Sequence, residues 1–185
     1  MTIPNLITLM RLLLVPSVVF ALLTGYMGWA FAGFVLAGVS DGVDGFIARH
    51  FDQRSELGAY LDPMADKLLL VSVFLVLGYM GELPLWLVIA AVSRDALIVS
   101  AVLLSTIMSH PVKVRPLFVS KANTLVQIVL AALVLGELAL GLGSGMLRTG
   151  LIYLSGLLTV ASGAAYFVGW IKHMGGHAET EAPGE

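Results

Sequence analysis

Four aspartates carry most of the chemistry that this sequence offers. In the stretch SDGVDGFIARHFDQRSELGAYLDPMADK, residues 40–67, Asp41 and Asp44 stand three apart and Asp62 and Asp66 four apart. On a helix, either spacing puts both side chains on one face. Apolar runs flank both pairs, and an unpaired carboxylate at membrane depth costs about 2.5–3.5 kcal/mol or more. Convergence of like charges raises that cost, and only Arg49 and Lys67 are near in sequence to offset it. Divalent cations remove the conflict, and all-oxygen ligands suit Mg²⁺ or Mn²⁺ over zinc or copper. Four carboxylates can hold two such ions, an arrangement common in phosphoryl and nucleotidyl chemistry. A plainer reading stays open. Asp62 before Pro63 has the form of a helix N-cap with proline at N1, and Asp41 after Gly38 and Ser40 has that of a short helix's start.

The elements that position these residues follow from composition. The chain has 185 residues, 58% of them apolar without counting its 20 glycines, and only 12% charged. Soluble domains carry roughly 25% charged residues, and a soluble domain this small could not bury so much apolar surface. A bilayer span needs about 20 mostly apolar residues. Six segments qualify, roughly Ile7–Leu23, Met27–Arg49, Ala59–Met80, Pro84–Met108, Ser120–Leu140 and Leu147–Lys172. Turn chemistry separates them at Thr24-Gly25, Gly81-Glu82-Leu83-Pro84, Ser109-His110-Pro111 and Gly141 to Gly145. The N-terminus lacks the marks of a signal or transit peptide, so the first apolar segment reads as a retained span. One domain, residues 1–174, is expected, with 175–185 as a disordered tail.

Arg11, Arg49, Arg54, Lys67, Lys113, Arg115, Lys121 and Lys172 fall on one side of such a bundle and Arg148 on the other. That bias makes the termini cytoplasmic. The expected fold is therefore all-α, an integral membrane protein of six transmembrane helices. In it the second helix exits near His50 and the third enters near Ala59. Asp41 then lies about 12 Å and Asp66 about 10 Å from the cytoplasmic surface at 1.5 Å per residue. Gly38, Gly42, Gly45 and Ala48 thin the same half of the second helix, which suits close approach by a ligand or by another helix. Arg49, one turn after Gly45, suits a phosphate. Cysteine is absent, which excludes thiolate metal sites and disulfides; the net charge of −2 says nothing of partners, and no nucleic-acid partner is expected.

These residues form a recognisable signature. Asp41-Gly-Val-Asp44-Gly45-Phe-Ile-Ala48-Arg49, eight residues, Gly58, three residues, Asp62, three residues, Asp66 resembles the CDP-alcohol phosphotransferase family at all eight fixed positions. The resemblance implies a six-helix membrane enzyme, usually a homodimer, with a two-metal site open to the cytoplasm. It implies Asp41, Asp44, Asp62 and Asp66 as metal ligands, with Asp66 also the base for the acceptor hydroxyl. Gly45 and Ala48 would lie against the donor's cytidine, Gly58 would border the nucleotide, and Arg49 would hold the diphosphate beside Asp41, Asp44 and Asp62. Crowding of like charges raises a carboxylate's pKa, which suits a base.

Within that family two branches compete. Pro4 to Arg11 and Leu61 to Lys67 are similar to phosphatidylglycerophosphate synthases and to CMP-forming cardiolipin synthases alike. Ser93-Arg94-Asp95 and the run Arg115 to Gln127 are more similar to the second. The expected donor is CDP-diacylglycerol and the expected acceptor phosphatidylglycerol, in the cytoplasmic (inner) membrane; glycerol 3-phosphate is the alternative acceptor. Arg94, deep in the fourth span, must pair or bind a phosphate, and Arg94, Arg115 and Lys121 are the candidates for the acceptor's phosphate. Ordinary loop charge is the plainer reading of Arg115 and Lys121. A divalent-cation transporter would use the same aspartates, but Glu82, Asp95 and Glu137 give no acidic path across the bilayer.

Overall fold

The computed structural model describes the backbone of residues 3–50, 56–107, 118–143 and 145–178, and the side chains of 10–40, 67–100, 118–143 and 145–166. Those residues form six α-helices and no strand: α1 Ile3–Leu23, α2 Met27–His50, α3 Glu56–Tyr79, α4 Leu85–Ile107, α5 Phe118–Leu140 and α6 Gly145–Ala178. Two of them, α5 and the part of α6 from Gly145 to Tyr166, are long and apolar enough to cross a membrane among the described residues. Shorter apolar stretches lie in α1 (Met10–Leu23), α2 (Met27–Ser40) and α3 (Lys67–Tyr79). The sixth helix passes the expected end at Lys172 and reaches Ala178. Residues 179–185, most of the expected tail, lie outside the described residues.

Three turns are closed in the same way. Gly25, Gly81 and Gly141 have φ of 83°, 78° and 65°, a left-handed conformation that costs glycine little. After α1, Tyr26 N–H donates to Ala21 C=O at 2.8 Å and Gly25 N–H to Leu22 C=O at 3.2 Å. After α3, Glu82 N–H donates to Leu77 C=O at 2.9 Å and Gly81 N–H to Gly78 C=O at 3.2 Å. Leu142 N–H repeats the longer bond to Glu137 C=O at 3.2 Å after α5. These are Schellman caps, which satisfy carbonyls that a helix end would leave open. All three sit at the end of the bundle opposite the aspartates.

The core runs through the middle of the bundle. Val18 and Leu22 of α1, Ala30 and Phe34 of α2, and Val73 and Leu77 of α3 are buried, as are Leu87 of α4 and Leu130 and Val134 of α5. Spacings of three or four residues put each set on one face. Large apolar side chains also face outward on every helix with described side chains, among them Phe20, Trp29, Leu75, Leu97, Leu125 and Leu157. What α6 buries is small and polar instead: Ser155, Thr159 and Ser162. Helices surrounded by lipid gain nothing by hiding leucine and associate through close packing and interhelical hydrogen bonds.

Candidate active site

The signature residues lie on α2 and α3, which touch one another and both touch α1. Asp44 stands six residues before the end of α2 at His50, and Asp62 six residues after the start of α3 at Glu56. At 1.5 Å per residue each is about 9 Å from its helix end. Asp41 is nine residues from His50 and Asp66 ten from Glu56, so the inner pair also matches in depth. Only residues 51–55 join the two helices, and five residues reach at most about 18 Å. The backbone thus brings both aspartate pairs to one end of the bundle. Both helices run unbroken through the signature, so Asp62 is interior rather than an N-cap, and Asp41 starts no helix of its own. The side chains of Asp41, Asp44, Gly45, Ala48, Arg49, Gly58, Asp62 and Asp66 lie outside the described residues, as does Arg115 entirely.

Next to Asp66, the side chain of Lys67 leaves α3 toward α4. Its Nζ lies 2.7 Å from Asp95 Oδ2. The other carboxylate oxygen, Oδ1, accepts from Arg94 Nη1 at 2.6 Å. Arg94 is 4% exposed, and its Nε and Nη2 donors are engaged as well. Nε and Nη2 reach Ser162 Oγ at 3.2 and 2.7 Å, Nη2 also donates to Ser120 Oγ, and the guanidinium sits 6.0 Å from the Tyr166 ring centre. Of the two roles open to this arginine, pairing is what the described residues show. A guanidinium at such depth needs this many partners, because removing one partner from a buried pair typically costs about 3–5 kcal/mol.

Ser120 also fixes where Lys121 begins. Lys121, at the start of α5, is exposed and follows the residue that binds Arg94, so α3, α4 and α5 bring Lys67, Arg94 and Lys121 into one neighbourhood. A buried polar seam continues from it between α5 and α6. Thr159 Oγ1 donates to Asn123 Oδ1 at 3.0 Å, and Gln127 Nε2 lies 3.4 Å from Thr159 Oγ1.

Two features escaped the sequence reading. Arg11 appeared to be boundary charge, yet it is 1% exposed on α1, the helix that touches both α2 and α3. The helix starts at Ile3 and not Ile7, which sinks Arg11 about 12 Å at helical rise. Lys67 likewise counted only as compensating charge. At the opposite end, Arg148 binds Glu82 at 2.7 Å and Glu137 at 3.3 Å, and its Nη2 also donates to the Glu82 carbonyl.

Residues 1–165 match the family model described as CDP-alcohol phosphatidyltransferase. The chain is 35% identical over 182 residues to "Cardiolipin synthase (CMP-forming) / mitochondrial hydrolase fusion protein" of Schizosaccharomyces pombe, covering 90% of this chain and 31% of that protein. It is 40% identical over 126 residues to "Putative cardiolipin synthase" of Mycobacterium bovis, covering 67% of this chain and 59% of the relative. A "Probable phosphatidylglycerophosphate synthase" of Mycobacterium tuberculosis is 30% identical over 186 residues, 95% of this chain and 85% of that protein. The chain thus spans less than two thirds of the length of these two cardiolipin synthase relatives.

Proposed function

Because the chain belongs to the CDP-alcohol phosphatidyltransferase family, we propose that it is a CMP-forming cardiolipin synthase, which transfers a phosphatidyl group from CDP-diacylglycerol to phosphatidylglycerol. The supporting observation is the matched depth of two aspartate pairs on touching helices, Asp41 and Asp44 on α2 and Asp62 and Asp66 on α3. Four carboxylates crowded at one depth fit a pair of Mg²⁺ or Mn²⁺ ions by donor chemistry. When bound, those ions supply positive charge where the diphosphate and the departing CMP concentrate negative charge.

The chain's own groups do the rest. Asp66 accepts the proton of the acceptor's free hydroxyl. That oxygen bonds to the phosphorus bearing diacylglycerol, and the bond from this phosphorus to the bridging oxygen breaks, releasing CMP. Arg49 holds the diphosphate in line, while Gly45, Ala48 and Gly58 leave room for cytidine. Arg115 and Lys121 meet the acceptor's phosphate from the α5 side, and Arg94 braces that wall. In the membrane we place six spans, both termini and the site on the cytoplasmic face of the inner membrane, and two copies as a homodimer.

A second reading, phosphatidylglycerophosphate synthase, is favoured by the Mycobacterium tuberculosis relative, which this chain covers over 85% of its length. Purified protein supplied with CDP-diacylglycerol and either phosphatidylglycerol or glycerol 3-phosphate separates the two. Cardiolipin as product supports the first reading; phosphatidylglycerophosphate alone replaces it with the second.

A further inference from the structure

The triad of Lys67, Asp95 and Arg94 holds two cations against one carboxylate, which leaves one surplus positive charge among these three side chains. Asp95 is 7% exposed and clamped from both sides. Arg94 in turn is fixed from α5 and α6 by Ser120 and Ser162. Lys67, by contrast, keeps 37% of its side chain exposed. An ammonium has three N–H donors, and Asp95 takes one of them. A lysine normally gives up rotamer freedom when it is fixed; here the ion pair with Asp95 already restricts it.

Direction completes the argument. Most of the donor-binding part of the signature, Asp41 to Arg49, lies on α2, with Gly58 and Asp62 before Lys67 on α3, whereas the Lys67 side chain turns toward Asp95 on α4, the side on which Ser120 also places Lys121. A preset, partly exposed ammonium on the residue that follows the proposed base suits a phosphodiester that arrives with the hydroxyl-bearing substrate. We propose that Lys67 binds the phosphate of the acceptor lipid, and that Asp95, locked by Arg94, is the positioning residue that aims it. This rests on the function proposed above, because only an acceptor carrying phosphate calls for such a cation.

The test uses the full chain in mixed micelles and reads each substrate separately. With Lys67→Ala, the KM for phosphatidylglycerol should rise about tenfold or more, the loss of one charge-assisted hydrogen bond, while the KM for CDP-diacylglycerol stays within about twofold. Asp95→Asn should move the same constant in the same direction, and Lys67→Arg should recover part of the loss. A merely structural triad would instead lower thermal stability and shift both KM values together, which would overturn the proposal. Binding of a short-chain phosphatidylglycerol, measured by calorimetry without donor, keeps the two ideas separable. Weaker binding by Lys67→Ala in a protein that forms no cardiolipin sustains the Lys67 assignment and refutes the function. Unchanged binding in a protein that does form cardiolipin refutes Lys67 alone.

Discussion

Trp86 of α4 and Gly156 of α6 meet with no room for a methyl group between them: a Cβ on Gly156 would lie 2.7 Å from both Cη2 and Cζ3 of the indole. Trp86 also stacks on Tyr153 of α6, ring centres 6.3 Å apart, a contact the indole would have to give up to make room. Gly156→Ala should therefore destabilise the bundle by about 1–3 kcal/mol, the usual cost of overpacking. Thermal unfolding in detergent measures it. A second substitution, Trp86→Leu, should recover much of the loss by removing the clash.

Arg148 ties three elements at the end remote from the aspartates. Its partners are unequal: Glu82 keeps 28% of its side chain exposed and Glu137 only 8%. Arg148→Ala removes an ion-pair partner of a nearly buried carboxylate. The expected loss is about 1–3 kcal/mol, below that of fully buried pairs because Glu82 is partly solvated. CMP release at saturating substrates should stay within about twofold of wild type, since the substitution is remote from the proposed chemistry. A large loss of turnover without loss of stability would contradict this separation of ends.

Metal removal should stop the reaction. Chelation by EDTA is expected to abolish CMP release, and added Mg²⁺ or Mn²⁺ to restore it. Full turnover in excess chelator would refute the two-metal reading of Asp41, Asp44, Asp62 and Asp66.

The aspartates should also divide by role. Asp66→Asn is expected to lower kcat by at least about 10²-fold, within the usual worth of a general base, with affinity for CDP-diacylglycerol better preserved. Asp41→Asn and Asp44→Asn should lose donor affinity as well as turnover. Equal losses of donor affinity in Asp66→Asn and Asp41→Asn would leave the separate base role without support.

How much of this was legible in the sequence depends on the range of the interaction. The glycine turns were readable because a Schellman cap is decided within six residues, and Gly25, Gly81 and Gly141 announce it by type and place. The helices that carry Asp41/Asp44 and Asp62/Asp66 were readable because helical spacing is local. The fate of Arg94 was not. Its partners Ser120 and Ser162 are 26 and 68 residues away, and no periodicity connects them. Arg11 was misplaced for a different reason: hydropathy marks where apolar residues begin, but α1 extends one turn further through Ile3-Pro4-Asn5-Leu6. Counting Arg11 only by its side of the bundle therefore left its burial unread.

The closed turns at Gly25, Gly81 and Gly141 divide the chain into three helical hairpins, and synthesis from the N-terminus releases them in order. The aspartate signature straddles the first and second, since α2 belongs to one and α3 to the other. Lys67 and Asp95 meet within the second. Ser120 and Ser162, the hydroxyls that hold Arg94, arrive only with the third. A nascent chain therefore owns all four signature aspartates before Arg94 of α4 has its full shell of partners. The third hairpin is the one that supplies the hydroxyls this buried charge needs.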